Sequence, residues 1–314
     1  MDATESEVVQ DFFPFVRVYK NGQIERFLGT EIVSPSLDDP KTGVQSKDVV
    51  YSTEANLSSR LYLPKDTSTN QKLPLLVYFH GGGFVVETAF SPLYQNYLNS
   101  LVAEARVMAV SVDYRRAPEH ELPVAHDDCW TALKWVASHF DRNGPEEWLN
   151  SHADFGRVFC AGDSAGANIA HNMAMRCGQE KIPGIDLKGI VLIHPYFWGK
   201  DPVGDEESEG RDKHERFWRF VCPATSGCDD PLINPVADPN FASLGCPKVL
   251  VIVAGKDFLK HRGRYYYENL KKCGWSGEVE IMEAEGEGHV FHMFNPAGQN
   301  SVAMLQKISA LLNN

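Results

Sequence analysis

The sequence RVFCAGDSAGANIAHNMAMR, residues 157–176, joins an apolar run to a helical pattern through a serine flanked by glycines. This is the Gly-x-Ser-x-Gly arrangement in a strand–turn–helix setting. The turn is so tight that side chains at Gly162 and Gly166 would strike neighbouring backbone, so glycine is a steric requirement there. It presents the Ser164 hydroxyl at a sheet edge, beside a helix N-terminus whose amides favour negative charge. A Gly/Ser turn that merely caps a helix is the bland alternative. The pentapeptide alone does not separate the two; its surroundings decide.

Short apolar runs bounded by breakers recur on both sides: Ser59 to Leu63, Leu75 to Phe79, Val107 to Val112, Gly189 to Ile193, Val249 to Val253 and Val279 to Met282. Runs such as LLVYF and VLVIV are apolar on both faces, as in parallel strands covered by helices on each side. Helical patterns lie between them at Tyr94 to Glu104, Pro123 to Phe140, Ala165 to Arg176 and Gly263 to Cys273, the last stopped by Gly274. A final helix, Gln299 to Leu312, carries a stripe at Val302, Leu305, Ile308 and Leu312. This alternation specifies a doubly wound α/β sheet, read as one domain over 1–314. The first 45 residues are weakly periodic, with an aromatic cluster at Phe12, Phe13 and Phe15 and a turn at Asn21-Gly22; Ser34 to Lys47 reads as loop. Residues 197–234 are too long and too polar for an ordinary connection and read as an inserted cap with a helix near His214 to Phe220. Residues 1–45 are expected to form a second part of it, an N-terminal lid.

The second chemical signal is His80-Gly81-Gly82-Gly83-Phe84, directly after LLVYF. Three glycines at a strand end let main-chain amides turn toward a ligand, the pattern of an oxyanion loop. Such fixed donors are worth roughly 3–4 kcal/mol each where charge develops on a carbonyl oxygen. No Lys-Ser/Thr follows, so a phosphate-binding loop is excluded. A serine nucleophile needs a base and a group that orients the base, in the chain order Ser, acid, His. VLVIVAGKD supplies Asp257 after one strand, and VEIMEAEGEGH supplies His289 after the next. His292 competes as the base, and Glu283 and Glu287 compete as the acid, although both stand close before the histidine. Asp163 is expected to make a structural hydrogen bond, Asp127 and Asp128 to cap a helix or pair with Arg115 or Arg116, and His171 to be a satisfied core residue. The aromatics Phe12, Phe13, Phe15, Tyr196, Phe197, Trp198, Phe217 and Trp218 fall in the cap regions, as packing or as walls of an apolar pocket.

The 314 residues carry a formal charge of −12, with 43% hydrophobic and 23% charged residues, which fits a soluble globular chain and not a disordered or fibrous one. The acidic balance, with no local basic patch, disfavours nucleic acid as a partner. No apolar run reaches the roughly 20 residues that cross a bilayer, so no membrane partner is expected, and the acidic N-terminus resembles no signal or transit peptide. Seven cysteines without a C-x-x-C pair fit a reducing, cytoplasmic setting; Cys222 and Cys228 are the one close pair, and no disulfide is expected there. No His or Cys spacing suits a metal, and no cofactor is expected. The acidic surface suits a monomer or weak dimer.

HGGGF, DYRRAPEH at 113–120, GDSAGANIAH at 162–171, HPYFW at 194–198, DDPLINP at 229–235, KKCGWSGEVE at 271–280 and EGEGHVFH at 285–292 together resemble the plant carboxylesterases of the hormone-sensitive-lipase-like branch. The likeness spans nearly the whole chain. It implies an α/β-hydrolase fold, a triad of Ser164, Asp257 and His289, and an oxyanion hole from the amides of Gly82, Gly83 and Ala165. Phe84, Tyr196, Phe197, Trp198 and Val290 are expected at the substrate pocket. The implied activity is hydrolysis, through an acyl-enzyme, of short-chain esters of small aromatic or specialised plant metabolites. The same family holds dehydratases that resemble 2-hydroxyisoflavanone dehydratase, some with Thr as the nucleophile, and gibberellin receptors that lack the catalytic histidine. Ser164 and His289 are both present here. One departure is His261, which stands where the family often has a second acidic residue after the triad aspartate.

Overall fold

The computed structural model describes residues 7–68, 71–206 and 210–314. The first six residues of the expected lid, and 207–209 of the expected cap, lie outside the described residues. In chain order the elements are β1 (Val8–Phe12), β2 (Val16–Tyr19), β3 (Ile24–Arg26), β4 (Gln45–Ser52), β5 (Leu57–Leu63), β6 (Leu73–Phe79), α1 (Pro92–Ala105), β7 (Met108–Asp113), α2 (Val124–Ala137), α3 (Glu147–His152), β8 (Ala153–Asp163), α4 (Ala165–Gln179) and β9 (Leu187–Ile193). They continue with α5 (Arg211–Val221), β10 (Lys248–Ala254), α6 (Lys260–Leu270), β11 (Glu278–Ala284), α7 (Phe291–Phe294) and α8 (Gln299–Asn313).

Eight strands form one sheet in the order β11-β10-β9-β8-β6-β7-β5-β4. The run from β11 to β7 is parallel, and β5 pairs antiparallel with both β7 and β4. All residues of β6 are buried, as a strand covered on both faces must be. One face carries α1 and α8 through Leu98, Leu101, Met304 and Ile308. The opposite face carries α2, α4 and α6, through Leu133, Ile169 and Tyr266 among others. The chain leaves β6 toward β7 on one side and later fills β8 on the other, so the strand order reverses at β6. The carboxyl ends of β6 and β8 therefore flank a crevice, the usual place for a ligand in an open α/β sheet.

Four features differ from the sequence expectation. The weakly periodic N-terminus, to which the sequence reading assigned no strand, forms a separate antiparallel sheet, β1-β2-β3. Its strands are three to five residues long and β1 is largely exposed, so little hydrophobic alternation marks them. The loop expected to reach Lys47 ends earlier, because β4 starts at Gln45 and pairs with Leu63. The buried stripe of α8 is Ser301, Met304, Ile308 and Leu312, whereas Val302 is exposed. Ser301 is tolerated inside because its hydroxyl donates to the Asn295 carbonyl at 2.6 Å. His292, expected from the sequence where the last helix begins, lies in the short α7 ahead of it.

The insertion after β9 contains α5, and the small sheet leans on it. Phe12 meets the rings of Phe217 and Phe220 at 5.3 and 4.6 Å, and the Arg216 guanidinium covers Phe12 while donating to the Asp11 carbonyl. The base of the small sheet is tied to the body by Arg26, which donates to the carbonyls of Val85 and Ala117 and pairs with Glu119. The insertion is anchored by Glu206, buried between Arg262 and Arg211. The Trp198 ring lies within about 5 Å of both guanidinium carbons.

Candidate active site

Ser164 caps the N-terminus of α4 at φ 53°, ψ −116°, a sparsely populated conformation for a residue with a side chain. The surroundings enforce it. The Ser164 amide donates to Ile193 and its carbonyl accepts from Tyr196. A Cβ added at Gly166 would stand 1.9 Å from the Phe79 carbonyl oxygen, so helix and strand approach as closely as glycine allows. The turn thereby lifts the hydroxyl out of the sheet edge.

The turn after β10 presents Asp257, and the turn after β11 presents His289. The Ser164 hydroxyl donates to His289 Nε2 at 2.9 Å, and His289 Nδ1 donates to the Asp257 carboxylate at 2.8 Å. The second Asp257 oxygen accepts from the Leu259 amide at 3.0 Å. Burial pushes the Asp257 carboxyl upward, but the hydrogen bond and charge of His289 outweigh that, and it is held below the usual carboxylate value. The neutral imidazole thus carries its proton on Nδ1 and offers Nε2 to the serine. The competing residues lie elsewhere. His292 is buried against Tyr97, Glu283 pairs with Arg264, and Glu287 accepts from Asn300.

Gly82 and Gly83 stand at the wall facing Ser164, both at positive φ. Their amides, with that of Ala165, find no acceptor among the described residues and are available to a ligand. Gly82 has no alternative residue: its φ is +95°, and an added Cβ would meet the Val86 carbonyl oxygen at 2.2 Å. Asp163, the neighbour of the nucleophile, accepts from the hydroxyls of Tyr78 and Tyr94 at 2.8 and 2.9 Å. Tyr94 in turn accepts the Gly81 amide at 2.6 Å, and Tyr114 donates to the His80 carbonyl. The oxyanion loop is therefore fastened to the serine turn through one buried carboxylate, which burial pushes up to about 6. The sequence located Asp163 but held no sign of its tyrosine partners.

His194 is a further member that the sequence did not single out. It is buried, at φ 47°, and its Nδ1 accepts the Val290 amide at 3.0 Å, which fixes the loop carrying His289. Desolvation holds it neutral, well below the ordinary histidine value. Among the described residues, His194, Asp257 and His289 are the one group with metal-capable atoms mutually within 4.8 Å. Both Asp257 oxygens, both His289 ring nitrogens and His194 Nδ1 are engaged in the hydrogen bonds just described, whereas His194 Nε2 has no partner among the described residues.

Above the serine lies a cavity of about 580 Å³, walled mainly by apolar side chains of the small sheet, α5 and the two catalytic turns. Tyr196 and Val290 line it as expected, as do Phe12, Phe13, Phe15 and Phe217. Three expected pocket residues do not. Phe84 is fully buried among Trp218, His126 and Tyr196. Phe197 points away and stacks on Tyr266 at 5.0 Å, and Trp198 is taken up between its two arginines. Trp218 is likewise core. The sequence missed Leu28, Val86, Glu87, Phe258, Met293 and Phe294, which line the cavity. Adjacency was the only available signal, since Phe258 follows Asp257 and Met293 and Phe294 lie one helical turn beyond His289.

The family described as alpha/beta hydrolase fold matches residues 76–293. The chain is 50% identical over 314 residues to probable carboxylesterase 7 of Arabidopsis thaliana, covering 98% of this chain and 99% of that one. It is 49% identical over 319 residues to 2-hydroxyisoflavanone dehydratase of Glycyrrhiza echinata, covering 98% and 97%. Among solved structures, an esterase of Pyrobaculum calidifontis matches with a TM-score of 0.69 at 28% identity, over 85% of this chain and 84% of that one.

Proposed function

Since the chain belongs to the α/β-hydrolase family, in its plant carboxylesterase group, we propose that it is a serine carboxylesterase acting on short-chain esters of small aromatic or specialised metabolites. The observation that carries this is the unbroken Ser164–His289–Asp257 chain, with links of 2.9 and 2.8 Å, beside unpaired main-chain amides. His289 Nε2 takes the Ser164 proton as Oγ attacks the ester carbonyl carbon. The carbonyl electron pair moves onto oxygen, which the amides of Gly82, Gly83 and Ala165 receive. The oxyanion collapses, the alcohol leaves with the proton from His289, and the acyl group stays on Ser164. Water then repeats the sequence and releases the acid. Asp257 holds the imidazole in its Nδ1–H form and stabilises the imidazolium. The apolar cavity suits an aromatic group.

The protein works without a cofactor as a monomer or weak dimer, with a small ester as its partner. Its unpaired thiols suit the cytoplasm, and no helix among the described residues is long and apolar enough to cross a membrane.

The likeness to a dehydratase favours a second reading, in which His289 removes a carbon-bound proton and the same amides hold an enolate, with no acyl-enzyme. A receptor reading fits poorly with His289 in place. A pre-steady-state burst of p-nitrophenol from p-nitrophenyl acetate, abolished in Ser164→Ala, is the expected result. Absence of the burst, with elimination of water from a β-hydroxyketone surviving Ser164→Ala, would establish the lyase instead.

A further inference from the structure

Three acidic residues line the cavity: Asp11, Asp163 and Glu87. Two are spoken for. Asp11 receives the Arg17 guanidinium and the Phe13 amide, and Asp163 receives two tyrosine hydroxyls. Glu87 forms no ion pair among the described residues. Burial raises its carboxyl; the Ser91 hydroxyl, which accepts the Thr88 amide and keeps its own proton to donate to Glu87, and the charge of Arg116 only partly offset this.

The frame around Glu87 is built to hold it where it is. Its φ is +66°, a conformation that a side-chain-bearing residue keeps only under constraint. Its carbonyl accepts from Arg116 Nη1 at 2.7 Å. Gly29, in the chain after β3, approaches so closely that a Cβ there would lie 2.7 Å from the Glu87 carboxyl carbon. The lid chain thus leaves room for this carboxyl and for little else. Three residues earlier the chain is Phe84, at the end of the oxyanion loop, so Glu87 stands on the same short loop as the amides of Gly82 and Gly83.

A carboxylate offers about four acceptor sites. In a mainly apolar cavity, sites left unfilled carry a desolvation penalty, consistent with the upward push that burial exerts on this carboxyl. A ligand that brings a hydrogen-bond donor relieves it. We propose that Glu87 is a specificity-determining residue that selects aromatic esters carrying a free hydroxyl group, which donates to its carboxylate while the ester carbonyl sits in the oxyanion hole. The inference rests on the esterase reading. A hydroxyl bound to a charged acceptor favours the hydroxylated ester over its parent by roughly ten- to a hundredfold in kcat/KM. The parent ester leaves acceptor sites of the half-buried Glu87 unfilled, which adds to the discrimination.

The test uses two matched pairs: benzyl acetate against its 3-hydroxymethyl derivative, and methyl phenylacetate against its 3-hydroxymethyl derivative. The hydroxymethyl group is remote from the ester and leaves its reactivity nearly unchanged. The readout is the ratio of kcat/KM within a pair, so a uniform loss of activity cancels. Wild type should prefer the hydroxylated member of at least one pair by tenfold or more. Glu87→Leu should bring that ratio near one, and Glu87→Gln, which keeps a neutral acceptor and the same shape, should leave it between the two. If Glu87→Leu fails to fold, a drop of threefold or more in Glu87→Gln carries the test. Ratios near one in wild type for both pairs, or ratios unmoved in the folded variants, overturn the assignment while leaving the esterase intact. Absence of Ser164-dependent hydrolysis of all four esters overturns both.

Discussion

Acidification from pH 7 to pH 5 should remove a large part of the folding stability, because the sheet encloses histidines that cannot take up protons. Burial holds His80, His171 and His292 near about 3 and His126 near about 4. The unfolded chain binds these protons near about 6.5. Stability is therefore lost as pH falls below that value, and the loss continues until the native groups titrate near 3 to 4. At pH 5 each such histidine costs roughly 2 kcal/mol, or roughly 8 kcal/mol for the four. Two buried carboxyls oppose this. Asp113 and Asp163 are pushed up to about 6, chiefly by desolvation, and so bind protons in the folded state first. Each returns about 1.4 kcal/mol at pH 5, leaving a net loss of roughly 5 kcal/mol. A total stability of about 5–15 kcal/mol is usual for a folded protein. Urea unfolding followed by tryptophan fluorescence at pH 7, 6 and 5 should show the midpoint falling steeply. His292, whose two ring nitrogens have no hydrogen-bond partner among the described residues, provides the specific check. His292→Leu should recover about 2 kcal/mol of the loss between pH 7 and pH 5. A midpoint that stays flat over this range, or a His292→Leu variant with the wild-type pH slope, would refute the reasoning.

Asp257→Asn should lower kcat by roughly 10⁴ with little change in KM. An amide nitrogen turned toward His289 Nδ1 would favour the tautomer with its proton on Nε2, which cannot accept from Ser164; steady-state hydrolysis of p-nitrophenyl acetate reads it. Glu206→Ala should destabilise the protein by about 3–5 kcal/mol in urea, because it strips the carboxylate from the buried Arg262. A loss below about 1 kcal/mol would mean that the carbonyls of Asp201 and Gly199 suffice for that guanidinium.

The catalytic centre was legible because each part is written locally. Glycine is forced at 162 and 166 by backbone contact and at 82 by its own φ. The aspartate and the histidine each follow a strand by a few residues, and the Gly-rich loop just after β11 favoured His289 over His292 three residues further on. The same local reasoning found seven of the eight strands of the large sheet, six of them largely buried and β11 partly exposed, and it missed the half-exposed β4. In α8 two stripes one residue apart share Ile308 and Leu312. The apolar content of the sequence favours the stripe through Val302, while the fold buries the one through Ser301 because a carbonyl waits for its hydroxyl.

The pocket was the least legible part, and HPYFW shows why. Tyr196, Phe197 and Trp198 are consecutive and all are buried, yet they serve three purposes. Tyr196 is held at the cavity because its amide donates to the Ser164 carbonyl. Phe197 then faces the opposite side, onto Tyr266, and Trp198 falls between Arg211 and Arg262, which come from two other elements. Composition registers three aromatics in a cap region; only the backbone hydrogen bond at 196 places one of them at the cavity. The same holds for Glu87. A glutamate after an oxyanion loop has no distinguishing spacing, and its meaning comes from partners that are absent on one side and from a glycine, 58 residues earlier in the chain, that makes space for it. Chemistry that depends on main-chain turns is thus encoded near its own residues, whereas the walls of the cavity come from segments distant in the chain. Exchanging the lid among relatives of this fold should accordingly alter substrate choice while the serine, histidine and aspartate keep their places.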